Sequence, residues 1–210
     1  KLIALGIDKD GKNGKVATNS INTITNLNIS NSGIQNLTGI EDFAALKTLE
    51  WNNNQLTTLD LLQNSYLTEL NCSTNQLNYL FIYKNRLLSK LNCSENQLIT
   101  LSLIGNTLLS ELNCSYNKIV NLDITKNTNL TLLYSSFNKL ANLDVSNNKL
   151  LKELECSDNN IYNLNIKNGN NANMQRMIFG NFSNNPNLNC IQVDNAVFSN
   201  DNWIAKDATA

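Results

Sequence analysis

Four cysteines share one register: Cys72, Cys93 and Cys114 follow one another at a constant interval, and Cys156 falls two such intervals later. A cysteine can be a nucleophile, a metal ligand or half of a disulfide. A nucleophilic thiol needs a base, and the chain contains 0 histidines, which removes the commonest one. A metal needs ligands that converge, whereas an evenly spaced row spreads them along an axis. A disulfide wants Cβ atoms ~3.5–4.5 Å apart and turned toward each other. Neighbours on parallel strands stand ~4.8 Å apart and point the same way. The remaining reading is a column of buried free thiols. Ile29, Trp51 and Ser135 occupy the same column, a mixture suited to a core position. Cys190 lies in the end region with no evident partner.

Other candidates for chemistry are weaker. Glu153 and Glu155 pair two carboxylates, but on an open face with nothing to raise a pKa. Asp8-Lys9-Asp10-Gly11-Lys12-Asn13-Gly14 looks at first like a calcium loop. An EF-hand needs oxygen ligands first, third, fifth and twelfth, with glycine sixth. Lys12 falls fifth, Asn13 sixth and Asn19 twelfth, so the match fails, and a turn after an N-terminal cap is the better reading. Asn-Cys-Ser recurs from Asn71, Asn92 and Asn113, matching the glycosylation acceptor pattern as a by-product of the repeat. No catalytic residue, metal site or cofactor is expected.

What positions these residues is a repeat. Asparagine returns at the same interval, without a slip, at Asn54, Asn75, Asn96, Asn117, Asn138 and Asn159. Each sits in the frame Leu-x-x-Leu-x-Cys-Ser-x-Asn-x-Leu-x-x-Leu-x-Leu. A fixed period of this length implies a solenoid whose coils contact only their neighbours. The frame resembles the leucine-rich repeat. That resemblance implies short coils, one parallel concave β-sheet, and extended or 3₁₀ segments on the convex side. Seven coils are read over 24–171, running Ile24–Ala45, Leu46–Tyr66, Leu67–Leu87, Leu88–Leu108, Leu109–Asn129, Leu130–Leu150 and Leu151–Asn171. The first is one residue longer than the rest. Residues 1–23 read as an N-terminal cap, with Leu2, Ile3, Leu5 and Ile7. Residues 172–210 read as an irregular last repeat, Met177 to Val193, and a C-terminal cap with Ile191, Val193, Val197, Phe198 and Trp203.

Within a coil, Leu112 and Cys114 are two apart and leave one strand face, taken as inward, while Glu111 and Asn113 point out. About six buried apolar side chains, worth ~1.5–3 kcal/mol each, cannot offset ~1–2 kcal/mol of backbone ordering for every residue of a coil. Only stacked coils are stable. The asparagine column is assigned to buried turn groups, since an amide carries both donors and an acceptor. A second column, Asn64, Asn85, Asn106, Asn127 and Asn148 with Gly169 next, is read as a left-handed turn. The alternative for either column is a row of ligand-binding amides.

The first coil, with Ser32 in the asparagine column, resembles the longer internalin-type repeat. The start Leu2-Ile3-x-Leu5-Gly6-Ile7-Asp8, the turn Thr38-Gly39-Ile40-Glu41 and the tail Asn189-Cys190-Ile191-Gln192-Val193-Asp194 are similar to secreted leucine-rich-repeat proteins of Bacteroidetes-type bacteria. That resemblance implies export to the cell surface or medium, often with a sorting domain. The first residues are too short for a secretory core, and the chain reads as trimmed at both ends.

A net charge of −1 offers no basic excess for nucleic acid. No apolar run is long enough to insert in a membrane. The outward columns of the strands are mostly small and polar. The exception is the coil 130–150, with Leu132, Tyr134 and Phe137, and with Tyr116 one coil earlier; Glu111, Glu153, Glu155 and Asp158 flank them. Exposed aromatics with a charged rim suit an interaction surface. The leading expectation is a monomeric, non-enzymatic module that binds a protein ligand through the concave face. The alternatives are a glycan-binding surface, with those aromatics on sugar rings, and a structural spacer.

Overall fold

The structure is a computed structural model; it describes residues 2, 4–7, 16–174, 182–197 and 199. The chain winds as a parallel β-solenoid. Seven short strands, β1 (Asn26–Asn28), β2 (Thr48–Glu50), β3 (Glu69–Asn71), β4 (Lys90–Asn92), β5 (Glu111–Asn113), β6 (Leu132–Tyr134) and β8 (Glu153–Glu155), form one sheet in sequence order. Their central leucines stand in register, from Leu27 beside Leu49 to Leu133 beside Leu154. All are at most 3% exposed. The first step, Asn26 to Thr48, is one residue longer than the next, Thr48 to Glu69, as the repeat pattern requires.

The column after each strand faces the core too. Ile29, Trp51, Cys72, Cys93, Cys114, Ser135, Cys156 and Phe182 are buried, and the four thiols are free. Burial pushes Cys72 and Cys114 up to about 12 and Cys93 and Cys156 likewise well above the ordinary value of 9.0. The neutral form therefore dominates, and the column packs as small apolar groups. Cys190 is exposed.

Backbone bonds between coils continue past each strand, as from Thr74 N–H to Ser94 and Asn75 N–H to Glu95, and one amide serves the turn groups they leave over. Asn96 Nδ2 donates to the carbonyls of Cys72, Cys93 and Ser94 at 3.0, 3.2 and 3.1 Å. Its Oδ1 accepts the Leu77 N–H at 2.9 Å. Each asparagine thus closes its own turn and that of the preceding coil. Where the first coil has Ser32, Asn54 Oδ1 accepts the N–H groups of Ser32 and Ile34 at 3.1 and 2.9 Å. Asn185 continues the column beyond Asn159, donating to Cys156 and Phe182 at 3.0 and 2.9 Å.

The second asparagine column corrects the sequence reading. Its asparagines are not left-handed: among the described residues, the non-glycine positive-φ positions are Asn31, Asn53, Thr74, Glu95, Tyr116, Phe137, Asp158 and Asn184, one residue before the first column. Asn64, Asn85, Asn106 and Asn148 are instead fully buried. Asn106 Nδ2 donates to Ile82 and Asn85 carbonyls at 3.0 and 2.9 Å. A second amide ladder therefore lines the far turn, with Oδ1 of Asn64, Asn85, Asn106 and Asn148 left unpartnered. Asn168 succeeds Asn148 by donating to its carbonyl at 3.2 Å. Gly169 does adopt positive φ but lies one residue past the ladder.

The return path is extended, as expected, with a 3₁₀ turn at Ile40–Asp42. Toward the C-terminal end it pairs into a second parallel sheet of β7 (Asn142–Asp144), β9 (Asn163–Asn165) and β10 (Cys190–Gln192), which the periodicity does not announce. Of the residues assigned to the ends, Leu2, Ile7, Ile191 and Val193 pack against the core. Leu5 and Val197 do not, being 42% and 71% exposed. Ile3, the Asp8–Gly14 loop, Met177, Phe198 and Trp203 lie outside the described residues.

The two kinds of strand-end asparagine should separate in stability. Asn96→Ala removes one of the donors to each of three carbonyls and leaves the Leu77 N–H without its acceptor, and should cost about 2 kcal/mol. Asn113 makes one local bond, Oδ1 accepting the Ser115 N–H at 3.1 Å at a half-buried position, so Asn113→Ala should cost below about 1 kcal/mol. Urea titration measures both; equal losses would refute the assignment of the ladder.

Candidate functional site

The outward residues of β2–β6 line an open groove of about 330 Å³ that includes Glu50, Glu69, Lys90, Glu111, Leu132 and Tyr134. The alternation of the strands builds it: each central leucine points in, and the residues on either side point out. An ion pair crosses it, Lys90 Nζ to Glu111 Oε1 at 3.0 Å. The hydrogen bond that Lys90 donates to Glu111, then the charge of that carboxylate, holds the ammonium above its ordinary range, and Glu69 adds a smaller pull. Tyr134 donates its hydroxyl to Glu153 across one strand spacing. Glu155 lies exposed at the end of β8.

Asn71, Asn92 and Asn113, on the same face, are tied down locally. Asn92 Oδ1 accepts the Ser94 N–H at 3.1 Å and its hydroxyl at 2.8 Å, so the Asn-Cys-Ser motif is a strand-closing turn. These bonds occupy the amide oxygens as acceptors.

Not all the sequence-selected residues gather in one place. Glu111, Leu132 and Tyr134 line the groove, and Glu153 joins them through Tyr134. Tyr116 and Phe137 lie outside the groove lining, on the turn just past β5 and β6. There they stack on each other, with ring centroids 4.2 Å apart and planes 9° from parallel. They remain 52% and 42% exposed. Both have left-handed backbone, φ 55° and 56°. This conformation costs an L-residue ~1–2 kcal/mol, and asparagine, aspartate and glycine tolerate it best. Asn31, Asn53, Asp158 and Asn184 occupy the same column. Thr74 and Glu95 complete the column, so every coil carries this turn and two of them fill it with large aromatics.

Sequence reasoning missed a second aromatic strip. Tyr79, Phe81 and Tyr83 alternate outward on the return path and are 54%, 57% and 47% exposed. Tyr79 and Phe81 lie with planes 7° apart and centroids at 6.3 Å. Their period of two between Leu80 and Ile82 was the available signal.

Neither a family model nor a curated protein matches the chain. Solved structures do. An internalin (inlF) from Listeria monocytogenes superposes with a TM-score of 0.63 at 19% identity, covering 86% of this chain and 53% of that one. A leucine-rich-repeat protein of Leptospira interrogans gives 0.61 at 19%, covering 84% and 50%. The fold is a leucine-rich-repeat solenoid. An internalin C2 from Listeria monocytogenes also matches, at 0.58 and 20% identity, over 85% of this chain and 84% of that one. The chain spans about half the length of the first two proteins. Among the described residues, no helix of this solenoid is long and apolar enough to cross a membrane.

Replacing both Tyr116 and Phe137 by asparagine relieves two left-handed aromatics, ~1 kcal/mol each, and loses one ring pair worth ~0.5–1.5 kcal/mol. The double variant should be about 1 kcal/mol more stable in a urea titration. A loss above about 1 kcal/mol would make the pair a structural clamp.

Proposed function

We propose that this leucine-rich-repeat chain is a non-enzymatic binding module of a secreted or cell-surface bacterial protein, serving adhesion or protein–protein recognition through the outer face of its strands. The observation that carries the reading is the Tyr116–Phe137 pair, held in a conformation its backbone disfavours and left exposed. It stands at the margin of a groove whose one aromatic, Tyr134, is oriented by Glu153. The contact residues of the proposal are Tyr116, Phe137, Leu132, Tyr134, Glu111, Glu153 and Glu155. Aromatics are enriched at the centres of protein interfaces, inside a polar rim. Export rests on the similarity of the chain's ends to secreted leucine-rich-repeat proteins. The module acts as a monomer.

The glycan alternative is less well supported. A sugar-binding ring offers an open face, whereas Tyr116 and Phe137 cover one face of each other.

Peptides selected from a random phage-displayed library on the folded chain test the reading. Truncating a central aromatic of an interface commonly costs about 2 kcal/mol or more, about thirtyfold in affinity. Tyr134→Ala should weaken the selected peptides by that factor, and Phe81→Ala on the return path should leave them unchanged. The reverse pattern would place recognition on the other surface and overturn the proposal.

A further inference from the structure

The return path carries an exposed aromatic strip with a polar pocket beside it. Tyr79, Phe81 and Tyr83 alternate with the buried Leu80 and Ile82, and each is about half exposed. The three span ~13 Å of extended chain. Tyr79 and Phe81 keep nearly parallel planes with centroids 6.3 Å apart. At that distance neither ring covers the other, unlike Tyr116 and Phe137 at 4.2 Å. An exposed apolar strip rimmed by polar side chains marks a binding surface.

The rim is polar on both sides. Asp60 forms a parallel bridge with Phe81 from the preceding coil, with Thr58 two residues before it. Thr100 and Ser102 hold the same columns one coil later, and all four are exposed. Next to Asp60 opens a pocket of about 370 Å³ whose lining includes Thr38, Glu41, Thr58, Asp60 and Gln63. That is the size of a small-ligand site, in which a few placed polar groups fix orientation. The backbone holds both carboxylates: Asp60 Oδ1 accepts the Leu62 N–H and Glu41 Oε2 the Gly39 N–H, each at 2.9 Å. Charge is mixed in sign. Residues 33–46 and 55–66 carry Glu41, Asp42 and Asp60, residues 76–89 carry Lys84 and Arg86, and residues 97–110 carry none. Recognition here does not run on net charge.

A sugar ring matches both parts. Its C–H face is apolar and packs on the negative face of an aromatic ring, while the hydroxyls at its edge exchange hydrogen bonds with carboxylates, amides and hydroxyls. We propose that the return path holds a second binding site, for a neutral oligosaccharide, with sugar rings on Tyr79 and Phe81 and hydroxyls bonded to Asp60 and Thr58. Glu41 and Asp60 select against acidic sugars by repulsion. The site is separate from the strand face and does not depend on what that face binds.

The test is a printed array of neutral and acidic oligosaccharides, followed by isothermal titration calorimetry with the neutral sugar that binds best. The wild type should bind neutral members of the array in preference to acidic ones. Tyr79→Ala and Phe81→Ala should each weaken the titrated sugar about tenfold or more. Phe81→Leu, which keeps apolar bulk without a ring, should weaken it nearly as much. Asp60→Asn keeps the acceptor for the Leu62 N–H and should weaken it several-fold. Tyr162→Ala removes an exposed ring of the return path in the coil Leu151–Asn171 and should change it less than twofold. Urea midpoints should match the wild type, since these rings are exposed. An array with no neutral sugar bound, or with acidic sugars alone, would overturn the proposal. So would full affinity in Phe81→Leu, which would mean a general apolar contact such as a protein makes, or an equal loss from Tyr162→Ala. Library-selected peptides should bind the sugar-saturated chain unchanged. Competition between the two would put the sugar on the strand face and defeat this site, whereas peptides indifferent to Tyr134→Ala would defeat the strand-face reading and leave this one standing.

Discussion

The structure depends on one hydrogen-bonding problem: each short coil must turn after its strand, where the backbone bonds between coils leave an inward carbonyl and an N–H for a side chain to satisfy. A buried peptide group without a partner costs ~1–3 kcal/mol, and every coil repeats the problem. The asparagine amide answers it by serving carbonyls of its own turn and of the preceding one, while its oxygen takes an N–H from that preceding coil. Because each amide bridges two coils, none is satisfied alone. The same ladder that closes the turns therefore enforces stacking, fixes the register of the strands and leaves their outer residues free to vary. The second ladder at the far turn does this less completely, since the oxygens of Asn64, Asn85, Asn106 and Asn148 find no partner.

Fixed turns have a consequence for function. The residue before each ladder asparagine is forced into a left-handed backbone, and the repeat fills that position with asparagine or aspartate at Asn31, Asn53, Asp158 and Asn184. At Thr74, Glu95, Tyr116 and Phe137 it does not. The stability given up there is modest beside what the ladder supplies, so a rigid scaffold can carry a strained, exposed aromatic pair. The neighbouring groove differs in kind. Its chemistry comes from carboxylates, one lysine and a tyrosine placed by strand alternation alone.

Period-based features were legible in the sequence. The interval of the asparagines gave the coil length, and the two-residue alternation of Leu112 and Cys114 gave the inward column that proved to be buried thiols. What periodicity cannot give is the reason a residue type recurs. Asn64 and Gly169 share tolerance of positive φ, and that shared property misled: the far column needs an amide donor, while the left-handed position lies before the other column and holds tyrosine, phenylalanine, threonine and glutamate as well. Asn113 looked free because it points outward, yet its side chain closes the strand. Of the candidate site, Leu132, Tyr134, Glu111 and Glu153 come together as register implies. Tyr116 and Phe137 stand apart on the turn, because the strand ends before them.

The central claim, that recognition uses the strand face and its aromatic margin, is most directly tested by hydroxyl-radical footprinting with mass spectrometry, with and without a library-selected peptide bound. Tyr116 and Phe137, at 52% and 42% exposure, and Tyr79, Phe81 and Tyr83, at 54%, 57% and 47%, start about equally open to oxidation. The account predicts that bound peptide protects Tyr116, Tyr134 and Phe137 and leaves the return-path strip unchanged. Protection of Tyr79, Phe81 and Tyr83 with continued oxidation of the other three would contradict it.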